Sequence, residues 1–218
     1  MQIAIDVAHG LDYIHHCSGL ETSFTNNHIK MTSILVAQDS SRAKICHFGT
    51  ADICGEVIQQ GSKSLGRTDS KVMKIEGTRG YMAPELQSRG LVTQKCDVYA
   101  FGVVVLELLS GDEALKFMFD EVNGGYNRVS VIDTAREAVA GGGGGVRRWV
   151  DRRLKDSFPV EVAEKMVVVA LECLEEDPEK RPEMSRVVGK VSKLYLESKT
   201  WADNFGFPAD ISLSMGPR

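Results

Sequence analysis

Histidine and cysteine are the side chains of this sequence best suited to hold a transition metal. His15, His16 and Cys17 are consecutive, but neighbouring residues on a helix point about 100° apart and cannot chelate one ion together. The cysteines are widely spread and contain no C-x-x-C pair; they are Cys17, Cys46, Cys54, Cys96 and Cys173. We therefore expect no metal site at the histidine pair, and reduced thiols in a cytosol-like compartment.

Phosphate recognition is the second chemistry that the residue types suggest. Gly141 to Gly145 form a run of five glycines, but no strand leads into the run and no Lys-Ser/Thr pair follows it, so it predicts a flexible surface loop. A cluster of basic residues surrounds Trp149 beside Asp151, and we interpret it as a solvated helix face or loop; it contains Arg147, Arg148, Arg152 and Arg153. The net charge of −4 gives no general attraction to nucleic acid or anionic lipid.

Helices must carry most of these residues. Apolar residues recur at helical spacing from Ile3 to Ile14, which predicts a helix from about residue 2 to 16. The run VYAFGVVVLELL (98–109) is apolar on nearly every side and predicts a helix at the centre of the core. The same spacing predicts two amphipathic helices over 163–174 and 184–191 that close the domain.

A small β-hairpin and a long polar loop follow the first helix. Residues 34–36 and 43–46 are short β-favouring runs that a turn-like segment at 38–41 separates. The sequence from Gly49 to Gly77 is polar with little periodicity, which predicts a mobile loop, and loops of this length are usually functional or disordered. Residues 199–218 contain prolines and glycines and are expected to form a loosely ordered tail.

Six stretches occur in the order in which the C-terminal lobe of a protein kinase shows them, and through these motifs the sequence resembles that family. They are GLDYIHH (10–16), HIKMTSIL (28–35), AKICHFG (43–49), GTRGYMAPE (77–85), DVYAFGVVVLELLSG (97–111) and CLEEDPEKRP (173–182). The fourth and fifth stretches resemble those of plant receptor-like kinases, and among these the LysM-receptor branch. The resemblance implies a protein-kinase-like α+β fold: a mostly α-helical C-lobe over 1–198 with a small hairpin, an activation segment at about 47–85, and no N-lobe.

The resemblance assigns architectural roles to three residues. Glu85 should pair with Arg181 in a buried two-point contact, which suits the planar guanidinium of Arg and would not suit Lys. Asp97 should cap or anchor the central helix through backbone N–H groups. These are residues of the fold, and their presence does not bear on activity.

The phosphoryl-transfer positions of the family are different in this sequence. The family's catalytic loop reads H-R-D-x-K-x-x-N and its metal loop reads D-F-G. In the corresponding positions, His28 replaces the base Asp, Ser33 replaces the second metal-binding Asn, and His47 replaces the metal-binding Asp. Asn27 stands where the family has the loop Arg. Lys30, which by resemblance contacts the transferred phosphate, is retained.

His47 is the most damaging of these replacements, because Mg²⁺ is a hard cation that seeks charged oxygen ligands, whereas imidazole suits zinc or copper. His28 is milder, since imidazole can accept a hydroxyl proton, and a lost general base costs about 10²–10⁴-fold in rate. Ser33 is intermediate, because a hydroxyl can ligate Mg²⁺ but supplies less polarity than an amide oxygen. The kinase fold would also allow His28 and His47 to bind zinc opportunistically, although structural zinc sites normally need four ligands.

Phosphorylation of the activation segment is a further hypothesis, with a plain solvated loop as the alternative. The candidate sites are Ser62, Ser64, Thr68, Ser70 and Thr78. A phosphate on this loop would lack its usual guanidinium partner, because Asn27 replaces the loop Arg. Activation by phosphorylation of the loop is therefore not expected.

The predicted first helix begins at about residue 2, so the given sequence contains no glycine-rich nucleotide loop, no strand lysine and no helix glutamate ahead of it. We therefore expect no cofactor for this chain, with ATP and Mg²⁺ implied by the family alone. No apolar stretch is long enough to cross a bilayer and no signal peptide is present, which predicts a cytoplasmic chain. A longer parent would place this kinase domain on the cytoplasmic side of the plasma membrane.

Three hypotheses about function remain open. In the first, the chain is part of a receptor-like Ser/Thr kinase domain that has become a pseudokinase and signals by scaffolding or allostery. Its partner would then be another receptor-like kinase or a cytoplasmic signalling protein. In the second, the full-length parent is a weakly active, ATP-dependent kinase that uses Lys30 and His28. In the third, the chain is a truncated gene product without an independent function.

Overall fold

A computed structural model describes residues 1–16, 25–47, 77–120, 124–142 and 144–205 of the 218-residue chain. These ranges are mostly helical and contain two small antiparallel sheets, so the kinase C-lobe fold implied by the resemblance is confirmed. The predicted polar loop lies outside the described residues except for Gly77, and so do the four candidate phosphosites from Ser62 to Ser70. No helix in the described ranges is long and apolar enough to cross a membrane.

The helices and strands are numbered here in chain order. The helices are α1 (Gln2–His16), α2 (Pro84–Arg89), α3 (Gln94–Ser110), α4 (Val131–Ala140), α5 (Gly145–Trp149), α6 (Val160–Cys173) and α7 (Met184–Asn204). The strands are β1 (Ile34–Val36), β2 (Ala43–Ile45), β3 (Leu115–Asp120) and β4 (Gly125–Ser130). Strand β1 pairs with β2 and β3 with β4, each pair antiparallel.

Helix α3 forms the centre of the core, as its uniform apolarity predicts. Phe101, Val103 and Val104 are fully buried, and the helix packs against α1, α4 and α6. Gly102 allows the close approach of α6, because a Cβ atom there would lie 2.9 Å from the carbonyl oxygen of Ala170. The helix ends at Gly111, whose φ of 71° belongs to the left-handed region that glycine adopts without strain.

Helix α1 begins and ends where the apolar spacing predicts. It buries Val7, Leu11 and Ile14 and packs against α7 and β2. The first hairpin also lies where it was predicted, with Ile34 opposite Ile45. Together these elements support the segment from Thr25 to Ser33 that carries the candidate catalytic residues.

The sequence analysis missed a second hairpin and a helix between the central helix and α6. Strand β3 covers 115–120 and β4 covers 125–130. Helix α4 follows β4 directly, and the Ser130 hydroxyl accepts the N–H of Ile132 at its start. The central residues of both strands, 117–119 and 126–128, are exposed on both faces, so the ribbon lacks the alternation of buried and exposed residues by which strands are recognised.

The interpretation of the glycine run as a flexible surface loop is wrong at its last residue. Gly145 is buried and begins α5, and a Cβ atom there would lie 2.1 Å from the carbonyl oxygen of Ala138. Gly141 directly follows the last residue of α4, and Gly144, with a φ of 89°, directly precedes α5. The N–H of Gly145 donates to the carbonyl oxygen of Gly142 at 2.7 Å, and Gly143 lies outside the described residues.

The C-terminal helix extends beyond the predicted end of the domain at residue 198. Helix α7 continues to Asn204, and the rings of Trp201 and Phe205 lie 4.7 Å apart at its end. The rest of the predicted tail, 206–218, lies outside the described residues.

The arginine cluster is exposed on α5 and the short helical turn after it, as predicted. Arg147 contacts Asp156 at 2.9 Å, and Arg153 contacts Asp151 at 2.6 Å. These exposed ion pairs neutralise part of the positive charge and contribute little to stability.

Candidate functional site

Asp97 fixes the segment before His28 to helix α3. Its Oδ2 accepts the N–H of Asn26 at 2.8 Å, and its Oδ1 accepts the N–H of Asn27 at 2.8 Å. Nε2 of His15 lies 3.0 Å from Oδ2. Asp97 is completely buried, so a single carboxylate joins α1, the loop and the central helix.

The expected capping role of Asp97 is corrected by this geometry. Helix α3 begins at Gln94, and Thr93 precedes it without a side-chain cap. Asp97 is therefore the fourth residue of the helix, beyond the position from which a side chain caps the first turn. The carboxylate does bind backbone N–H groups, but they belong to the loop.

The loop from Asn26 to Ser33 keeps a tight shape despite its replaced residues. Asn27 has a φ of 55°, a left-handed conformation that Asn tolerates better than most residues. The side-chain oxygen of Asn26 accepts the N–H of His28 at 3.1 Å. The Nδ2 of Asn26 is buried and has no partner within the described residues. The family's base position, His28, is thus held by backbone contacts on its N-terminal side.

Ser33 forms a structural contact in place of a metal ligand. Its hydroxyl donates to the carbonyl oxygen of His28 at 2.5 Å, and the residue is completely buried. Its own carbonyl accepts the N–H of Cys46 at 2.8 Å. Ser33 therefore joins the two ends of the catalytic loop to the residue that precedes His47, and its hydroxyl oxygen does not face solvent.

His47 offers nitrogen at the position that the sequence analysis aligns with the family's metal-binding Asp. It is exposed, its φ is 67°, and its Nδ1 lies 2.9 Å from the thiol sulfur of Cys46. Imidazole and thiol are soft ligands, so the donor set at this position does not fit Mg²⁺. In the part of the chain that the structure describes, no group of three or more His, Cys, Asp or Glu side chains could hold a metal ion. The zinc hypothesis for His28 and His47 thus gains no third ligand there.

Lys30 and Thr78 come together beside His28. Nζ of Lys30 donates to Oγ1 of Thr78 at 3.1 Å. Both residues line a small cleft of about 20 Å³, which His28 and Tyr81 also line. The retained lysine thus contacts the one candidate phosphosite that the structure describes, across a sequence separation of 48 residues.

Tyr81 and Glu107 form a partly buried contact that the sequence analysis did not identify. The Tyr81 hydroxyl donates to Oε2 of Glu107 at 2.6 Å, and Oε1 of Glu107 accepts the N–H of Ala114 at 2.9 Å. Burial raises the pKa of Glu107 above its usual range, although these two hydrogen bonds oppose the shift. Burial, and then the contact with Glu107, also raises the pKa of Tyr81. The signal was present in the sequence, because Glu107 is the single charged residue of the run 98–109.

Arg181 and Glu85 make the buried two-point contact that the resemblance implies. Nη1 of Arg181 donates to Oε1 of Glu85 at 2.6 Å, and Nη2 donates to Oε2 at 2.8 Å. The remaining donors of Arg181 bind the carbonyl oxygens of Lys95, Glu175 and Glu176. Burial alone would raise the pKa of Glu85, but the contacts with Arg181 outweigh it and the pKa is lowered. The pair joins the start of α2 to the segment between α6 and α7.

Residues 1–191 match the protein kinase domain family, and the chain belongs to that family. Among curated proteins, it is 34% identical over 209 residues to LysM domain receptor-like kinase 3 of Arabidopsis thaliana, a match that covers 92% of this chain and 30% of that protein. It is 33% identical over 204 residues to Protein LYK5 of the same plant, covering 92% of this chain and 29% of that protein.

A third relative, Chitin elicitor receptor kinase 1 of Arabidopsis thaliana, is 35% identical over 222 residues, covering 99% of this chain and 33% of that protein. The resemblance to LysM receptor-like kinases is therefore confirmed. The chain spans about a third of the length of these curated relatives. It is thus similar to one portion of a receptor-like kinase.

Proposed function

We propose that this chain is part of a receptor-like Ser/Thr kinase domain that acts as a pseudokinase, in signal transduction through scaffolding or allostery. The observation that carries the proposal is the donor set at the two metal positions of the family. His47 presents imidazole beside a thiol, and the Ser33 hydroxyl is buried against the His28 carbonyl. Neither position supplies the exposed oxygen that Mg²⁺ requires.

The intact architecture supports a binding role for the same domain. Asp97 and the Glu85–Arg181 pair hold the loop and the helices by contacts that involve none of the replaced side chains. A kinase-like surface therefore persists where the phosphoryl-transfer chemistry does not. The partner in this proposal is another receptor-like kinase or a cytoplasmic signalling protein, and the parent is a plasma-membrane receptor whose kinase domain is cytoplasmic.

The proposal is tested in the full-length protein that contains this chain. Purified protein is incubated with radiolabelled ATP and Mg²⁺, and signalling is measured in cells that carry Lys30→Met. We expect no phosphate transfer from the wild-type protein and unchanged signalling from the variant, because Lys30 has no phosphate to position. Transfer that Lys30→Met abolishes, together with lost signalling, would contradict the proposal.

A second candidate is a weakly active kinase, and the contact between Lys30 and Thr78 favours it. Lys30 is retained beside His28, whose imidazole can accept a proton from a hydroxyl group. The double variant Ser33→Asn, His47→Asp distinguishes the two candidates, because it restores the oxygen ligands of the family. A weak kinase should show measurable Mg²⁺-dependent phosphate transfer in the wild-type protein and more transfer in this variant. A pseudokinase should show no transfer in the wild-type protein.

A further inference from the structure

The ribbon formed by β3 and β4 exposes an unusual number of large apolar side chains. Phe117, Met118, Phe119 and Tyr126 are each exposed by 58–72%. An isolated two-stranded hairpin is marginally stable in water, and contiguous exposed apolar surface marks an interaction site. The ribbon is therefore a candidate interface.

The outer edge of β3 presents backbone groups that no other strand of the described ranges pairs with. The N–H of Val131 donates to the carbonyl oxygen of Ala114. These two residues lie opposite each other, next to the pair of Leu115 and Ser130 that begins the ribbon. Because main-chain groups alternate in direction along a strand, the even-numbered residues of β3 point theirs toward β4. Phe117 and Phe119 point their main-chain N–H and C=O groups toward the opposite edge of β3. No strand of the described ranges pairs with that edge.

The sequence of β3, Leu-Lys-Phe-Met-Phe-Asp, is complementary to itself in antiparallel orientation. When two copies pair with Met118 at the centre, Phe117 lies opposite Phe119 and Lys116 lies opposite Asp120. Two-fold symmetry repeats each pair, which gives two aromatic pairs and two pairs of opposite charge. In the neighbouring permitted register, with Phe117 at the centre, Lys116 lies opposite Met118 and both charge pairs are lost.

The outward backbone groups agree with this register. Phe117 and Phe119 would exchange their N–H and C=O groups across the edge, since both point outward. Met118 would lie opposite its own copy as a pair without hydrogen bonds, in which side chains approach most closely. Backbone direction therefore permits this alignment, and the charge pattern selects it over the register centred on Phe117.

We propose that two copies of this chain associate through β3, forming a four-stranded antiparallel sheet around a two-fold axis. The existing contacts of the charged residues do not prevent this, because they are exposed. Lys116 contacts Asp112, and Asp120 accepts a hydrogen bond from Asn127, and exposed contacts of this kind are worth little. The proposal does not depend on whether the domain is a pseudokinase.

Charge reversal tests the register in the full 218-residue chain. Sedimentation of the wild-type chain should show a concentration-dependent dimer. Lys116→Asp and Asp120→Lys should each weaken the association by about tenfold, because each places like charges opposite one another twice. The double variant should restore it, while Lys193→Asp on the exposed face of α7 should leave it unchanged. A monomeric wild type, or a double variant weaker than both single variants, would overturn the proposal.

Cross-linking tests the centre of the pairing. In a pair without hydrogen bonds the Cα atoms lie about 4.5 Å apart, within the range that a disulfide spans. Met118→Cys should therefore form a disulfide-linked dimer under mild oxidation, above the level of the wild-type chain with its native cysteines. Tyr126→Cys, at a more exposed position on β4, should not. Equal cross-linking of the two variants would show that β3 is not the pairing edge.

Discussion

Replacing Arg181 by lysine keeps the positive charge but removes the planar group that holds the segment after α6. Arg181 makes five donor contacts, two with Glu85 and three with backbone carbonyl oxygens. An ammonium group has three donors, so at least two buried acceptors lose their partner. Each costs about 1–3 kcal/mol, and we expect Arg181→Lys to lower the free energy of unfolding by about 2–6 kcal/mol. A typical domain has about 5–15 kcal/mol in total.

Urea unfolding at neutral pH, followed by circular dichroism, measures this cost. The matched control is Arg186→Lys, at an exposed position of α7, which should change the free energy by less than about 0.5 kcal/mol. A cost below about 1 kcal/mol for Arg181→Lys would refute the reasoning, because it would mean that the five contacts are not needed together.

The pH dependence of the same variant gives an independent check. The pKa of Glu85 is lowered in the folded protein from its usual 4.5, so its ionised form stabilises the fold above that pH. This stabilisation is lost as the pH falls through the lowered pKa of the folded state. The difference in stability between wild type and Arg181→Lys should therefore shrink below about pH 4.5, and a difference that stays constant would contradict the contact as its source.

Three further predictions concern the core and the loop. Asp97→Asn should lower the free energy of unfolding by about 2–4 kcal/mol, because the amide places a donor against loop N–H groups; urea unfolding checks this, and a loss below about 1 kcal/mol contradicts it. Gly145→Ala should lower the free energy of unfolding by about 3 kcal/mol or more, because the added Cβ meets a backbone oxygen. Gly189→Ala is the control, because it lies in a helix with open space around it, and it should raise the free energy of unfolding by about 0.5–1 kcal/mol. Thermal unfolding measures both. Burial raises the pKa of Cys96 to about 11, so Cys96 should resist alkylation in the native chain while half-buried Cys46 reacts. Mass spectrometry of the modified peptides measures both rates, and equal rates would contradict this prediction.

The sequence predicted those elements whose burial follows a simple period. Helix α1 buries one face, and α3 is buried all round, so their apolar patterns define both bounds and environment. The β3–β4 ribbon was missed because its aromatic residues face solvent and leave no alternating pattern. The role of Gly145 was also missed, since it depends on the position of Ala138 in the preceding helix.

The candidate site was predictable in its residue types and less so in its contacts. Motif spacing located His28, Ser33 and His47, but the target of the Ser33 hydroxyl depends on the fold of the loop. Asp97 reaches amides that are 70 and 71 residues away in sequence. No local pattern encodes such a pairing, because it is fixed by how α1 and α3 pack.

The way in which Asp97 holds its loop separates the shape of the loop from its side chains. The carboxylate binds the main-chain N–H groups of Asn26 and Asn27, and every residue except proline supplies that group. These two hydrogen bonds therefore do not depend on the reactive side chains of the loop, such as that of His28, so changes to those side chains leave the bonds in place. Under the proposed function, the surface that a partner binds would keep its shape because its anchoring contacts use main-chain groups.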